Sequence, residues 1–289
     1  MPIQTEKGVF GNDSKYTGVY SRLKEFPPKE LLDRDITSII EEIAEREGIE
    51  TPKVAEVGAG PAPICSLLFD KDPNRYILAA FDINSEMQLG REYPFSYNSQ
   101  FDLRDPNIPQ ELVGEFDFVV MENSLYATTI SPNGRKYSEA EADLMRITAL
   151  KKAASMLKEG GILILSDPLK STQDFSPNRI LEFLKYEQDA LLKLRGEKKS
   201  LVKIFSGKLS DKEMREILRI NKKLMNKTVL LDENKMRELI SSTDLFQHLP
   251  LMYDPQSYLG SNLTTVLRRN DKEIKMEESG ELGHPIILQ

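Results

Sequence analysis

The sequence predicts an α/β protein with a doubly wound, mostly parallel sheet, and three observations carry that expectation. The run Val54-Ala55-Glu56-Val57 is short, apolar and bounded by Pro52 and Gly58, the pattern of a buried strand entering a tight turn. Further apolar runs at 76–81, 116–121 and 162–165 recur along the chain with helical stretches between them, which is the βαβ alternation of a parallel sheet. Before the first strand, residues 31–47 place Leu32, Ile36, Ile39, Ile40 and Ile43 on one face of a helix that should pack on the sheet. A chain of 289 residues with 39% hydrophobic content can bury one sizeable core, so one domain is favoured.

The elements follow in order. Gly58 and Gly60 lack a Cβ, so the turn after the first strand can take φ > 0 and approach a ligand closely. The second run ends at Asp82, which places a carboxylate at a strand tip. A fourth strand over 116–121 leads into Glu122-Asn123-Ser124-Leu125-Tyr126, and open α/β sheets bind ligands outside such carboxyl ends. Around Gly160-Gly161 a helix is expected to stop, with glycine supplying the stop, and to run into the fifth strand. Residues 176–196 and 210–226 read as two inserted or extended helices, the second opened by a capping box of Ser210 and Glu213. Asp232 caps a helix through Ser242, and 245–253 and 262–267 read as closing strands, one of them reversed near the sheet edge.

The glycine turn excludes one cofactor class. A dinucleotide fingerprint needs a glycine three residues after Gly60, where Pro63 stands, so NAD and FAD are disfavoured. The series Glu56-x-Gly58-x-Gly60-x-Ala62 instead resembles the first motif of class I S-adenosylmethionine-dependent methyltransferases, acid-x-Gly-x-Gly-x-Gly, with Ala62 in place of the third glycine. The resemblance extends over residues 35–170 and, more loosely, 230–268. It implies a seven-stranded Rossmann-like sheet and S-adenosylmethionine as cofactor. It also implies that Glu56 reaches the methionine amino group, and that Gly58, Ala59 and Gly60 pass under the ribose and carboxypropyl chain. Asp82 then takes the ribose hydroxyls, Ile83 lies against the adenine, and a third strand ends at 101–103, with Asp102 at the adenine amino group and Leu103 on the ring. The two oxygens of a carboxylate suit the two ribose hydroxyls.

Within this frame residues 1–51 form an N-terminal helical lid segment, 52–169 the cofactor-binding core, 170–230 a helical insertion, 231–269 the end of the core sheet, and 270–289 a tail. Glu122 is the candidate base, amine-binding group or cofactor-shell acid, and Tyr126 the second candidate catalytic residue. Tyr16, Tyr20, Asn123 and Asp167 are candidate substrate contacts.

Charge and composition narrow the partners. The net charge is −7, yet residues 193–227 carry twelve Lys or Arg against four Asp or Glu. That segment lacks the aromatic interleaving of a nucleic-acid surface, so a solvated helix face is favoured over an RNA contact. The strip 122–125 departs from the Asn/Asp-Pro-Pro-Tyr/Phe motif of exocyclic-amine nucleic-acid methyltransferases, and a small-molecule acceptor is favoured. No metal constellation is evident, no run suits a membrane span, and no secretory layout precedes the core, so a cytoplasmic enzyme is expected. The single Cys65 reads as a small buried hydrophobe, and the two histidines, His248 and His284, as peripheral. The alternatives are a non-catalytic or repurposed nucleoside-binding protein of the same fold, an aminopropyl-transfer-like enzyme, or an RNA or protein methyltransferase using 193–227.

Overall fold

A computed structural model describes residues 27–83, 93–98, 101–130, 136–169, 228–250 and 262–272. Tyr16, Tyr20, the expected helices 176–196 and 210–226, the basic segment 193–227 and the tail beyond residue 272 lie outside the described residues. The elements are α1 (Pro27–Glu47), β1 (Lys53–Val57), α2 (Pro63–Lys71), β2 (Ile77–Phe81), β3 (Ser96–Asn98), β4 (Phe116–Glu122), α3 (Glu139–Met156), β5 (Leu157–Pro168), α4 (Glu233–Ser242), β6 (Phe246–Leu249) and β7 (Asn262–Arg269). They form one seven-stranded sheet in the order β3-β2-β1-β4-β5-β7-β6. β7 runs antiparallel to both of its neighbours, and the other pairs are parallel.

Alternation along each strand sends side chains to two separate cores. Val54, Leu78, Ala80, Phe118, Val120, Ile162 and Ile164 join one cluster with Leu32, Ile36 and Ile40 of α1 and Ile64, Cys65 and Leu68 of α2. Ala55, Val57, Phe81, Val119, Met121, Leu163 and Leu165 join the other with Leu150 and Ala153 of α3 and Leu239 and Ile240 of α4. Helices therefore cover both faces, as a doubly wound sheet requires. The strand order reverses between β1 and β4, which opens a crevice at their carboxyl ends.

Helix starts follow the expected chemistry. Ser138 and Glu141 form a reciprocal capping box at α3, and the Asp232 side chain accepts from the Lys235 N–H at α4.

Two expectations are corrected. The third strand lies at Ser96–Asn98, and residues 101–103 form the loop after it, because the Phe101 N–H donates to the Asp82 carbonyl (3.1 Å) rather than to a strand partner. The glycine pair does not stop α3, whose C-cap is Leu157 in extended conformation. It forms a bulge instead: the register jumps from Phe116–Leu157 to Phe118–Ile162, Gly160 takes φ +72°, and a Cβ on Gly161 would lie 2.9 Å from the Lys158 carbonyl oxygen and 3.2 Å from that of Asp117.

A second close approach joins β1 to β4. Gly58 takes φ +68°, and a Cβ there would lie 2.4 Å from the Ser124 Cβ. Gly58→Ala should cost about 3 kcal/mol from overpacking and left-handed strain together, and Gly161→Ala about 2 kcal/mol. Pairing Gly58→Ala with Ser124→Gly should recover the steric part and leave the backbone part, as read from denaturant midpoints of the four proteins.

Candidate functional site

The carboxyl ends of β1, β2 and β4 bring most of the expected residues together. β1 delivers Glu56, 2% exposed, whose carboxylate accepts from the Cys65 N–H in the first turn of α2 (2.8 Å). β2 delivers Asp82, 9% exposed, whose carboxylate accepts from the Gly60 N–H (2.7 Å). The two acids thus grip the same turn from two strands. Between these contacts Gly58, Gly60 and Ala62 all take positive φ, at 68°, 51° and 49°. Ala62 adopts the backbone a glycine accepts without strain, at about 1–2 kcal/mol for a residue with a Cβ. The Tyr97 hydroxyl of β3 donates to the Gly60 carbonyl (2.7 Å), closing the turn from the sheet edge.

The turn and its acids fit a nucleoside bearing a cationic chain. Residues 58 and 60 themselves bring no side chain to the turn, although Ser124 packs against Gly58 on one side, and Ile83 beside Asp82 is a large apolar side chain left 43% exposed. Across the switch point Glu56 pairs with Val120, so Glu122, two residues further along β4, projects from the same face as Glu56. Two carboxylates on one side of the crevice favour a cation between them.

Glu122 is 8% exposed, and Asn123 donates through Nδ2 to its Oε1 (3.1 Å). Asn123 itself sits at φ +52° with its N–H on the Ser166 carbonyl (2.7 Å), a strained single-residue turn of the kind held at functional sites. Tyr126 is buried and opens a 3-10 turn, Tyr126–Thr129.

Asp167 and Asp102 are placed differently from Glu122. Asp167 is 1% exposed and turned into the chain: main-chain N–H groups of Ser124, Leu125 and Tyr126 point at it, the Leu125 bond being 3.0 Å. Burial pushes its carboxyl up to about 8, against the pull of nearby Arg146 and those amides. Asp102 is gripped by Arg104, whose Nε lies 2.8 Å from Oδ1 and whose Nη2 lies 2.7 Å from Oδ2. Leu103 is buried in the core against α3 and α4.

Four residues near the site are missed by reasoning from sequence. Arg104 also donates to the Ile130 carbonyl (3.0 Å), tying the 101–105 loop to the turn after β4. Arg146, fully buried on α3, donates to Asp143 (2.8 Å) and to the Val229 carbonyl. Lys152, 2% exposed, reaches the main chain of the 101–105 loop. The Ser124 hydroxyl is buried against Gly58 with no hydrogen-bond partner among the described residues. A basic residue inside a buried helical stripe was the available signal for Arg146 and Lys152. Among the described residues no group of three or more His, Cys, Asp or Glu side chains could hold a metal ion, and no helix is long and apolar enough to cross a membrane.

Comparison with known proteins bears on this arrangement. The chain is similar in fold to magnesium protoporphyrin IX methyltransferase from Synechocystis PCC 6803 with bound SAM, at 12% identity over 90% of this chain and 94% of that one, TM-score 0.51. It is also similar to the citrinin polyketide synthase CMeT domain, at 11% identity over 90% of this chain and 58% of that one, TM-score 0.53. The CurJ carbon methyltransferase shares 17% identity over 84% of this chain with a TM-score of 0.49, and the chain spans only 55% of that structure's length. No curated protein matches the sequence. The family model for a methyltransferase domain matches residues 29–245, well over half of the sequence, and the chain therefore belongs to the methyltransferase-domain family.

Proposed function

We propose that the protein binds S-adenosylmethionine in the crevice between β1 and β4 and transfers its methyl group to an O, N or C nucleophile of a small molecule. The observation that carries this reading is the convergence of Glu56 and Asp82 on one glycine turn, with Gly60 and Cys65 N–H groups as their anchors. Membership of the methyltransferase-domain family supports it. When bound, the cofactor supplies a methyl group already activated on sulfur, so the protein's task is to hold, orient and where needed deprotonate the acceptor.

Glu56 and Glu122 hold the cationic side of the ligand, and Asp82 takes the ribose hydroxyls while keeping the Gly60 N–H. Ile83 offers an apolar surface to the base. Gly58, Ala59 and Gly60 let the main chain lie close beneath the ligand. Asp102, clamped by Arg104, acts through the loop it shapes, and Leu103 supports that loop from the core. Glu122 receives the acceptor's proton, its carboxylate oriented by Asn123, and Tyr126 lies on the acceptor side of the same turn. Asp167 positions that turn through its amide hydrogen bonds. Tyr16 and Tyr20 are assigned to the acceptor side on the sequence reading alone. We place the reaction in the cytoplasm, in keeping with a single, buried cysteine.

Calorimetric titration with S-adenosylhomocysteine tests the reading. Wild-type protein should bind, and Asp82→Ala should weaken binding about tenfold to a hundredfold, the worth of hydrogen bonds to a charged group. Absence of wild-type binding would remove the cofactor assignment. Glu122→Gln should weaken that affinity about tenfold, since it removes one of the two carboxylates facing the ligand's cation, and lower kcat about a hundredfold once an acceptor is in hand. Unchanged affinity would confine Glu122 to the acceptor side.

Asp167 yields a pH prediction. Its carboxyl is raised to about 8 in the fold, so the protonated form is favoured there, whereas the unfolded group loses its proton near 3.9. Stability should then decline as pH rises from about 4 toward 8, by at most about 1.4 kcal/mol per pH unit, and level off above. Asp167→Asn should flatten this part of the curve when Tm is measured against pH. Equal slopes in the two proteins would show the carboxylate ionised throughout.

A further inference from the structure

Lys152 carries its charge into the interior. It lies on α3 among Ala149, Ala153 and Met156, is 2% exposed, and its ammonium donates to the main-chain carbonyls of Asp102 (2.8 Å) and Asp105 (3.0 Å). The same nitrogen lies 4.1 Å from the centre of the Phe101 ring. Burial of an ammonium is expensive unless its donors are met, and a methionine of similar length would avoid that cost. Burial works against the charged form and the nearby Asp105 and Asp102 carboxylates favour it, but among the described residues no carboxylate accepts a hydrogen bond from the ammonium.

The grip falls on a loop that abuts Asp82. Phe101 donates its N–H to the Asp82 carbonyl (3.1 Å) and packs its ring on Phe81 at 4.9 Å. Asp82 in turn holds the Gly60 N–H (2.7 Å). A nucleoside whose ribose sits on Asp82 lies next to the 101–105 loop, and two hydrogen bonds and a ring contact lead from that loop to Lys152. Arg104 holds the outer side of the loop through Asp102 and the Ile130 carbonyl, and Lys152 holds the inner side.

We propose that Lys152 is a positioning residue for the nucleoside half of the bound cofactor: it acts through the 101–105 loop, fixing the wall against which the base rests. The assignment rests on the S-adenosylmethionine reading above. It extends that reading to a residue that touches neither the ligand nor the acceptor.

The experiment compares wild type, Lys152→Met and Lys152→Gln for binding of S-adenosylhomocysteine and of 5′-methylthioadenosine, which keeps the adenosine and lacks the amino-acid chain, alongside thermal melts. Lys152→Met should raise the Kd of both ligands by the same factor, about tenfold, with Tm within about 4 °C of wild type. Lys152→Gln, which keeps a donor, should recover part of the affinity. As a control, Glu56→Gln should weaken S-adenosylhomocysteine and spare 5′-methylthioadenosine. Unchanged affinities in folded Lys152→Met would overturn the assignment and leave the cofactor reading intact. Failure of both Lys152 variants to fold would overturn it as well, since the ammonium would then be structural. Wild type that binds neither ligand would overturn the cofactor reading and this assignment with it.

Discussion

The site depends on a turn whose main-chain donors are satisfied by side chains from the sheet. After β1 the chain turns through positive φ at 58, 60 and 62, leaving the Gly60 amide without a strand partner, and the Cys65 amide is a first-turn donor of α2 with no partner within the helix. Buried amides left unmet would each cost on the order of 1–3 kcal/mol. Glu56 and Asp82 meet them, and the same bonds stabilise two carboxylates that burial alone would disfavour. Turn and acids therefore specify one another. Gly58 is required by its neighbour as well, because Ser124 at the end of β4 occupies the place of a side chain.

A second layer of buried polar groups aligns the remaining loops. Lys152 holds 101–105, Asp167 holds 124–126, and Arg146 holds the Val229 carbonyl, while the Thr129 hydroxyl accepts from the Val229 N–H (3.1 Å). Leu169 and Leu231 pair beside these contacts, so the chain leaving β5 and the chain returning at 228 meet next to the turn after β4. Groups of this kind contribute little net stability, since desolvation offsets most of their attraction. Their effect is geometric: each ties a stretch of main chain at the carboxyl ends of the strands to a fixed helix or strand.

The strands other than the third, the helix before the first strand, the helix capped by Asp232, and the strand-end positions of Glu56, Asp82 and Glu122 were legible in the sequence, because each shows in local period or in its place beside an apolar run. What was not legible depends on contacts between distant residues. Lys152 falls in a helical stripe with Ala149, Ala153 and Met156, which signals burial, but only the fold brings it to carbonyls 47 and 50 positions away. Gly160-Gly161 has the look of a helix stop, and it became a bulge because Leu157 already pairs with Phe116. Asp102 was expected at the adenine amino group, and its pairing with Arg104 two residues later needs the loop to curl back on itself. The third strand is three residues long on an edge, too short for alternation to show.

The arrangement of acids also bears on which ligands the crevice selects. Glu56 and Glu122 project from the same face of adjacent strands, on either side of the point where the sheet order reverses. In a partly desolvated cleft two like charges repel, and a ligand with positive charge between them relieves that repulsion. A sulfonium nucleoside with an ammonium on its chain does so, and a dinucleotide with a pyrophosphate would worsen it. On the proposed reading, the charge at the strand ends and Pro63 in place of a third glycine both favour the sulfonium cofactor over a dinucleotide. The turn at Asn123 belongs to the same arrangement: Asn123 donates to the Glu122 carboxylate, its own N–H is held by the Ser166 carbonyl, and Asp167 accepts from the Leu125 N–H just beyond it.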